Sequence, residues 1–230
     1  MKIGFMTIGQ SPRDDVLSDL PDALREVEIV QTGALDGFTF SQIAAMYPIQ
    51  NDTVYVSRLR DGSEVKVAKE KLIPILEERV ERLRNDVDAL VILCSGKMTL
   101  NNSDRVTFPS ELLHRKVESI AKRTSKLGVI IPENSQSQAA RAGWQYLSTD
   151  PIPVAKFSPY SEPIDHLTIC SRALINQDII VMDCIGYSKR HEDVVREVTG
   201  KQTLGARSTI FQFLENQIRS SAGPKIVPSL

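Results

Sequence analysis

Two short apolar runs, each leading into a cysteine, constrain the fold of this chain more than any other feature. Ala89–Leu93 reads A-L-V-I-L and is followed by C-S-G at residues 94–96. Ile179–Met182 reads I-I-V-M and is followed by D-C-I-G at residues 183–186. Unbroken, partly β-branched runs of this length are typical of strands buried on both faces of a parallel sheet. The sequence therefore predicts two parallel strands that each carry a thiol at the carboxyl end.

The position of these thiols suggests a function. Open α/β sheets bind ligands outside the carboxyl ends of their strands, where helix N-termini hold anions and lower the pKa of a thiol. A single cysteine at such a place is equally well explained as a small buried apolar residue. Two cysteines placed alike favour function. A thiolate can remove a proton from carbon while the other thiol delivers a proton to the opposite face.

The composition restricts the class of protein. The 230 residues include 28 Lys and Arg against 29 Asp and Glu, so no basic field for nucleic acid or for an acidic membrane surface is expected. The apolar runs are too short to span a bilayer, and the N-terminal run is typical of a first strand rather than of a signal peptide. Three cysteines without a Cys-x-x-Cys pair argue against a disulfide framework and a metal site. We expect a cytoplasmic protein with reduced thiols and without metal or cofactor.

The remaining pattern alternates strands with helices, which is typical of a mainly parallel α/β fold. Further strands are predicted at residues 2–8, 27–32, 126–131 and 154–157, and helices at 38–47, 70–84, 109–122, 137–146, 164–175 and 188–198. Residues 53–68 contain an Asp-Gly turn and predict a β-hairpin that covers a cleft or forms a dimer contact. Residues 97–107 are predicted to form a loop over the site. Residues 202–214 are expected to run into a last helix that ends near residue 219, followed by a loose tail.

These elements divide into two halves of similar layout, each ending in a cysteine-bearing strand. The first half is predicted at residues 1–107 together with 205–230, because the last helix is expected to return to it. The second half is predicted at residues 108–204. Each half is expected to be a Rossmann- or flavodoxin-like three-layer α/β/α unit. The cleft between them would then hold Cys94 and Cys184 face to face.

Polar residues at other strand ends are candidates for ligand binding. They are Thr7, Gln10, Ser11, Arg13, Glu133 and Gln136. Ser11 is also a predicted helix N-cap, with Pro12 at the first helical position. Arg13 either forms a bidentate pair with a substrate carboxylate or lies solvated in the first turn of that helix.

Three segments resemble the AroM family: T-I-G-Q-S-P-R at residues 7–13, I-P-E at 131–133, and D-C-I-G-Y with K-R-H at 183–191. The resemblance extends over essentially the whole chain, and the layout is similar to that of the aspartate/glutamate/hydantoin racemase superfamily. It implies a pseudo-symmetric two-domain α/β fold with Cys94 and Cys184 as an acid/base pair. It also implies that residues after each cysteine bind the substrate carboxylate: Ser95, Gly96, Ile185, Gly186 and Tyr187.

The chain departs from amino-acid racemases beside both thiols. Those enzymes usually have Asn-Thr after the first cysteine and Thr-His after the second, whereas this chain has Ser-Gly and Ile-Gly. The resemblance therefore does not extend to an amino-acid substrate. Asp183 raises the pKa of the neighbouring thiol if it points inward, or caps the next helix if it points outward. His191 either polarises a thiol or lies on the surface.

These features predict a cofactor-independent racemase or isomerase that acts on a small carboxylate by two-cysteine proton transfer. One alternative is a single-cysteine decarboxylase or lyase, similar to the arylmalonate decarboxylases of the same superfamily. The other is a non-catalytic sensor that binds a small carboxylate. Hydrolysis by a nucleophilic Cys94 ranks last, because no histidine lies near it in sequence. A homo-oligomer is left open.

Overall fold

The computed structural model describes residues 1–101, 103, 106–122 and 125–221. The strands are β1 Lys2–Thr7, β2 Glu28–Gly33, β3 Val54–Arg58, β4 Glu64–Ala68, β5 Ala89–Leu93, β6 Val106–Thr107, β7 Leu127–Ile131, β8 Val154–Lys156, β9 Ile179–Met182 and β10 Gln202–Gly205. The helices are α1 Asp14–Leu17, α2 Asp22–Arg25, α3 Phe40–Ala44, α4 Lys69–Leu83, α5 Pro109–Ile120, α6 Ser137–Trp144, α7 Ile164–Ser171, α8 Lys189–Thr199 and α9 Ala206–Ser221.

Two four-stranded sheets share one topology. The first has the order β2-β1-β5-β6 and the second the order β8-β7-β9-β10, so equivalent strands take equivalent places. The recorded strand pairs in both sheets are parallel. β3 and β4 form a separate antiparallel hairpin, as predicted from the Asp-Gly turn. The predicted α/β fold with mainly parallel sheets is confirmed.

The cysteine-bearing strands are buried on both faces. In β5, Leu90 and Ile92 pack in one apolar cluster, whereas Val91 and Leu93 pack in another. The residues of β9 alternate in the same way between two clusters. Because successive strand residues point to opposite faces, a run of apolar residues is what a strand between two helical layers needs.

The two sheets share one apolar cluster, which includes residues of β1 and β5 from the first sheet and of β7 and β9 from the second. Next to this cluster, helix α9 packs against helices α5 and α2. Phe211 of α9 meets Phe5 of β1 edge to face, with ring centroids 6.3 Å apart. The last helix therefore contacts the first sheet. The boundaries at residues 107 and 204 stay a prediction.

Several predicted elements need correction. Residues 202–205 were expected to run into the last helix but form β10, because Thr203 and Leu204 gain burial by pairing beside β9. Residues 106–107, within the predicted loop, form β6 beside β5. Residues 102, 104 and 105 of that loop, and 222–230 of the predicted tail, lie outside the described residues. Helix α9 continues through residues 220–221, beyond its predicted end near residue 219.

The first helix begins later than predicted and without the predicted cap. Helix α1 begins at Asp14, and Arg13 takes the N-cap position. The Ser11 hydroxyl donates a hydrogen bond of 2.6 Å to Asp36 instead, because the loop after β2 brings that carboxylate next to it. In the described part of the chain, no helix is both long and apolar enough to cross a membrane.

Candidate active site

The two cysteines lie in equivalent turns at the carboxyl ends of β5 and β9. Cys94 directly follows β5, and Cys184 lies two residues beyond β9. Both side chains are buried, at 7% and 6% relative exposure. Each sulfur accepts a hydrogen bond from a glycine N–H two residues later, from Gly96 at 3.3 Å and from Gly186 at 3.4 Å. Two stretches of different sequence thus form turns in which the cysteine sulfur accepts the same backbone hydrogen bond.

A tyrosine ring covers the glycine of each turn. A Cβ atom on Gly96 would lie 2.7 Å from a ring carbon of Tyr55, and one on Gly186 would lie 2.6 Å from the ring and hydroxyl of Tyr160. Contacts this short exclude any side chain, which explains the glycine in both motifs. Sequence analysis missed both tyrosines, because each comes from a segment remote from the cysteine that it accompanies.

The hydroxyls of these two tyrosines have different partners. The Tyr160 oxygen lies 3.8 Å from the Cys184 sulfur and accepts a 3.5 Å hydrogen bond from Arg13. The Arg13 guanidinium carbon also lies 5.4 Å from the centre of the Tyr160 ring, a cation–π contact. The Tyr55 hydroxyl donates to the carbonyl of Lys97 at 2.7 Å. The two thiols therefore have different environments.

Arg13 is fully buried rather than solvated. Its side chain has a relative exposure of 1%, so the interpretation as a solvated first-turn arginine is wrong. Nε and Nη2 donate to the two carboxylate oxygens of Asp15 at 2.8 and 2.9 Å, and Nη1 donates to the Thr7 hydroxyl at 3.1 Å. Burial opposes the guanidinium charge, but Tyr160 and Asp15 raise its pKa overall. Most of the guanidinium donors thus already have protein partners.

Asp183 points inward. Its Oδ2 atom accepts a 3.0 Å hydrogen bond from Trp144 Nε1, and the carboxyl group also interacts with the Ser95 hydroxyl of the first half. Burial raises the pKa of Asp183, and the hydrogen bonds from Trp144 and Ser95 oppose this only partly. The ring of His114 stacks on Trp144 at 3.7 Å. Of the two predicted orientations, the structure has the one that places this carboxyl between the halves.

The thiols are less acidic than a neutral-pH base requires. Burial raises the pKa of Cys94 to about 12, and the Asp183 charge adds to this effect. Burial also raises the pKa of Cys184, although the Gly186 N–H, Tyr160 and Arg13 lower it. Burial in this structure therefore opposes the lowering of the thiol pKa towards neutrality that the turn was expected to cause. Removal from water outweighs the few donors.

Gln10 and Ser11 belong to a hydrogen-bond network at the end of β1. The Gln10 amide donates to the Leu35 carbonyl at 3.3 Å and accepts from the Arg60 backbone N–H at 3.1 Å. Asp36 accepts from both the N–H and the hydroxyl of Ser11. These contacts join the end of β1 to the loop after β2 and to the hairpin.

Glu133 and Gln136 connect the second half to the hairpin. The Glu133 carboxylate pairs with Lys66 of β4, and the Gln136 amide donates to the Val54 carbonyl of β3 at 2.9 Å. Glu64, also of β4, accepts from the hydroxyls of Ser158 and Ser161. The hairpin therefore joins the two halves. Its predicted part as a cover over a cleft or as a dimer contact stays a prediction.

The residues after Cys184 are held by a buried arginine that sequence analysis missed. Arg207, at the start of α9, donates to the carbonyls of Ile185 and Gly186 at 2.9 and 2.7 Å, and to Asp19 of the first half at 2.9 Å. The Tyr187 hydroxyl donates to the Phe157 carbonyl at 2.7 Å and is buried. Of this motif, Gly186 contacts the thiol directly, whereas the hydroxyl of Tyr187 is used in the core.

His191 caps helix α8. Its Nδ1 atom accepts from the Ser188 N–H at 3.0 Å, and the Ser188 side chain accepts from the His191 N–H at 3.4 Å. Burial lowers the pKa of His191 to about 4, and the nearby charges of Arg207 and Arg190 add to this. The histidine is therefore neutral at pH 7 and half-buried. Neither predicted role, polarising a thiol or lying on the open surface, describes it.

A cavity of about 380 Å³ lies beside Tyr160, between the two halves. Its walls are formed by Asp15, Ser18, Asp19, Arg58, Pro159, Tyr160, Gly186, Ser188, His191 and Arg207. Tyr160 and Gly186 belong both to this wall and to the surroundings of Cys184. Among the described residues, no cluster of His, Cys, Asp and Glu side chains is suited to hold a metal ion.

Solved structures with the same fold include two kinds of racemase and a decarboxylase. Unliganded arylmalonate decarboxylase is 11% identical, with a TM-score of 0.58 over 99% of this chain and 96% of that chain. Glutamate racemase from Aquifex pyrophilus is 15% identical, with a TM-score of 0.57 over 94% and 84%. Allantoin racemase from Pseudomonas fluorescens is 11% identical, with a TM-score of 0.58 over the full length of both chains. At these identities the similarity establishes the fold.

The sequence matches no curated protein significantly. The profile of the family described as AroM protein, however, matches residues 3–217, which contain both cysteine turns and the hairpin between the halves. The chain belongs to the AroM family.

Proposed function

We propose that this protein is a cofactor-independent racemase or isomerase that acts on a small carboxylate in the cytoplasm, with Cys94 and Cys184 as its two proton-transfer groups. The observation that carries the proposal is the equivalence of the two thiols. Each thiol follows the strand that is third in chain order within its sheet, and each is buried. Each sulfur accepts a hydrogen bond from the N–H of a glycine two residues later. The fold shared with two racemases supports the same reaction class.

In the proposed reaction, one thiolate removes the hydrogen on the carbon next to the carboxylate as a proton. The electron pair of the broken C–H bond moves into the carboxyl group. It returns to the carbon when the other thiol gives its proton to the opposite face, and that thiol keeps the S–H electron pair as a thiolate. Backbone N–H groups of residues 95–96 and 185–186 are proposed to hold the carboxylate and to stabilise the charge that develops on it. The thiols exchange protonation states in each turnover, so neither is consumed.

A single-cysteine decarboxylase is the second candidate. The observation that favours it is the unequal setting of the thiols, since Tyr160 lies at Cys184 whereas the Tyr55 hydroxyl is bound to a carbonyl. In that reaction the substrate loses carbon dioxide, and one thiol protonates the resulting carbanion. The fold is also that of arylmalonate decarboxylase.

The deciding experiment is solvent deuterium incorporation. Small carboxylates with one hydrogen on the α-carbon are incubated with the protein in deuterium oxide and followed by proton NMR. For a two-base enzyme, Cys94→Ser and Cys184→Ser are each expected to abolish net interconversion, while single-sided exchange can persist because one thiol remains.

A decarboxylase would instead release carbon dioxide and tolerate one of the two substitutions. Cys170→Ser is the matched control, because this half-buried thiol of α7 donates to the Leu167 carbonyl within its own helix. Absence of both exchange and decarboxylation across the series would favour a carboxylate-binding protein without turnover.

A further inference from the structure

The two cysteine turns are alike in backbone but differ in the side chain that reaches the sulfur. At Cys94 the covering tyrosine donates its hydroxyl to the Lys97 carbonyl at 2.7 Å. At Cys184 the hydroxyl of the covering tyrosine lies 3.8 Å from the sulfur. The Gly96 and Gly186 N–H groups contribute similar contacts to their thiols, at 3.3 and 3.4 Å. The difference between the thiols therefore lies in the hydroxyl of Tyr160, which Arg13 polarises.

The hydrogen bonds around Tyr160 have a direction. An arginine can only donate, so the Tyr160 oxygen accepts in the 3.5 Å contact with Arg13 Nη2. The phenolic hydrogen is then free to be donated, and the Cys184 sulfur is within reach of it. A sulfur that accepts from an O–H group polarised by a guanidinium is stabilised most when it is negatively charged.

Tyr160 is held in this position by its own loop. Its backbone N–H donates to the Ser158 hydroxyl at 3.2 Å, and that hydroxyl is bound to Glu64 of the hairpin. The ring lies against Gly186, where no side chain can intervene. The contact with Ser158 and the packing against Gly186 together fix the position of Tyr160, so its hydroxyl reaches the thiol with little further loss of conformational entropy.

We propose that Tyr160, polarised by Arg13, makes Cys184 the first of the two thiols to lose its proton, so that Cys184 is the resting base and Cys94 the resting acid. This inference rests on the proposed function for the roles of base and acid, but the order of ionisation does not. Tyr160 touches the reacting sulfur and is thereby a catalytic residue of the proposed reaction.

The electrostatic surroundings agree with this order. The titratable and charged groups that interact with Cys184 are Arg13, Cys94, Tyr160, Asp183 and Tyr187. Asp183 opposes ionisation of Cys184 and Arg13 favours it, but both charges act in the same directions on Cys94. The hydrogen bond from Tyr160 favours ionisation of Cys184 alone. For Cys94, burial first and then the charge of the Cys184 thiolate raise the pKa, to about 12. The first ionisation thus holds the second thiol in its protonated form.

The test is site-resolved alkylation by iodoacetamide, which reacts with thiolates and needs no substrate. The folded Cys170→Ser protein is treated across pH 6.5 to about 10, and mass spectrometry gives the rate at each remaining cysteine. The pH at which the alkylation rate of a cysteine is half-maximal reports the acidity of its thiol. The constant rate reached at high pH reports how accessible that thiol is to the reagent. Cys184 is expected to have the lower midpoint. Tyr160→Phe, which removes one oxygen, is expected to raise that midpoint by about one pH unit, the lower end of the range for hydrogen bonds to charged groups.

Tyr55→Phe is the matched control, because Tyr55 occupies the equivalent place over Gly96 but donates to a carbonyl. It is expected to leave the Cys184 midpoint unchanged. The inference is overturned if Cys94 has the lower midpoint, if Tyr160→Phe shifts only the plateau, if both tyrosine variants act alike, or if neither thiol reacts below about pH 10. Failure of deuterium incorporation would count against the proposed function and leave this order of ionisation standing.

Discussion

At the scale of single residues, the charge of Asp183 adds to the effect of burial on both thiols. Its carboxyl is buried against Trp144 and Ser95, and its negative charge raises the pKa of Cys94 and of Cys184. We predict that Asp183→Asn shifts the alkylation of both thiols to lower pH, because the amide carries no charge yet its oxygen still accepts from Trp144 Nε1. Tyr160→Phe should move Cys184 alone, so the two variants separate a shared charge from a local hydrogen bond.

Asp183→Ala tests whether the fold complicates that comparison. It leaves the Trp144 N–H without its acceptor, at a cost of about 1–3 kcal/mol in the free energy of unfolding. Asp183→Asn should cost less in a urea titration followed by Trp144 fluorescence. Unchanged thiol reactivity in a stable Asp183→Asn protein would show that the carboxyl is already protonated at the pH of the assay.

At the scale of elements, the β3–β4 hairpin joins the two halves at the site. It contacts the first half through the Gln10 N–H, which donates to the Arg58 carbonyl at 3.2 Å. It contacts the second half through Glu64, whose carboxylate accepts from the buried hydroxyl of Ser158 and from Ser161. Because the Ser158 hydroxyl in turn holds the Tyr160 N–H, the hairpin supports the residue that covers Cys184.

We predict that Glu64→Ala destabilises the protein by about 1–3 kcal/mol, the cost of leaving a buried hydroxyl without its partner. It should also raise the plateau rate of Cys184 alkylation relative to Cys94, because the Tyr160 loop is released. Glu78→Ala is the control, since Glu78 pairs with Arg82 on the exposed face of α4 and should change stability by less than about 0.5 kcal/mol. Equal effects of the two substitutions in urea titrations would contradict a bridging role for Glu64.

At the scale of the whole molecule, the features that could be predicted from the sequence are those that depend only on neighbouring residues in the chain. The Cys94 and Cys184 turns could be predicted because each thiol follows its own apolar strand, and the strand pattern needs no information from elsewhere. The contacts that distinguish the thiols could not be predicted in this way, although Arg13 itself was a candidate from its place after β1. Arg13 and Tyr160 are 147 residues apart in the chain, and Arg207 is 188 residues from Asp19. Such contacts exist only after both sheets have packed on their shared core.

The same distinction explains the errors in the site. A turn at a strand end predicts a lowered thiol pKa from its own N–H donors, but burial is a property of the assembled molecule, and it raises the pKa of both thiols. Ser11 has the sequence of an N-cap, yet Asp36 from the neighbouring loop takes its hydroxyl. In both cases the prediction used only neighbouring residues, whereas the outcome depends on parts of the chain that are distant in sequence.

Burial of both thiols leads to a prediction for the whole reaction. If Cys184 is the base, then at pH values below its pKa the fraction present as thiolate increases about tenfold when the pH is raised by one unit. That pKa lies above the usual value for a thiol. Burial raises the pKa of Cys94 to about 12, so this thiol stays largely protonated over the range in which Cys184 is expected to ionise. We therefore predict that kcat/KM for α-hydrogen exchange rises steadily from pH 7 into the alkaline range, with an optimum well above neutrality.

Deuterium incorporation measured by NMR at each pH, with circular dichroism as the check on folding, gives the profile. Cys170→Ser should reproduce it, and Asp183→Asn should move its rising limb to lower pH. A neutral or acidic optimum would mean that the bound substrate, rather than the protein alone, sets the ionisation of the thiols.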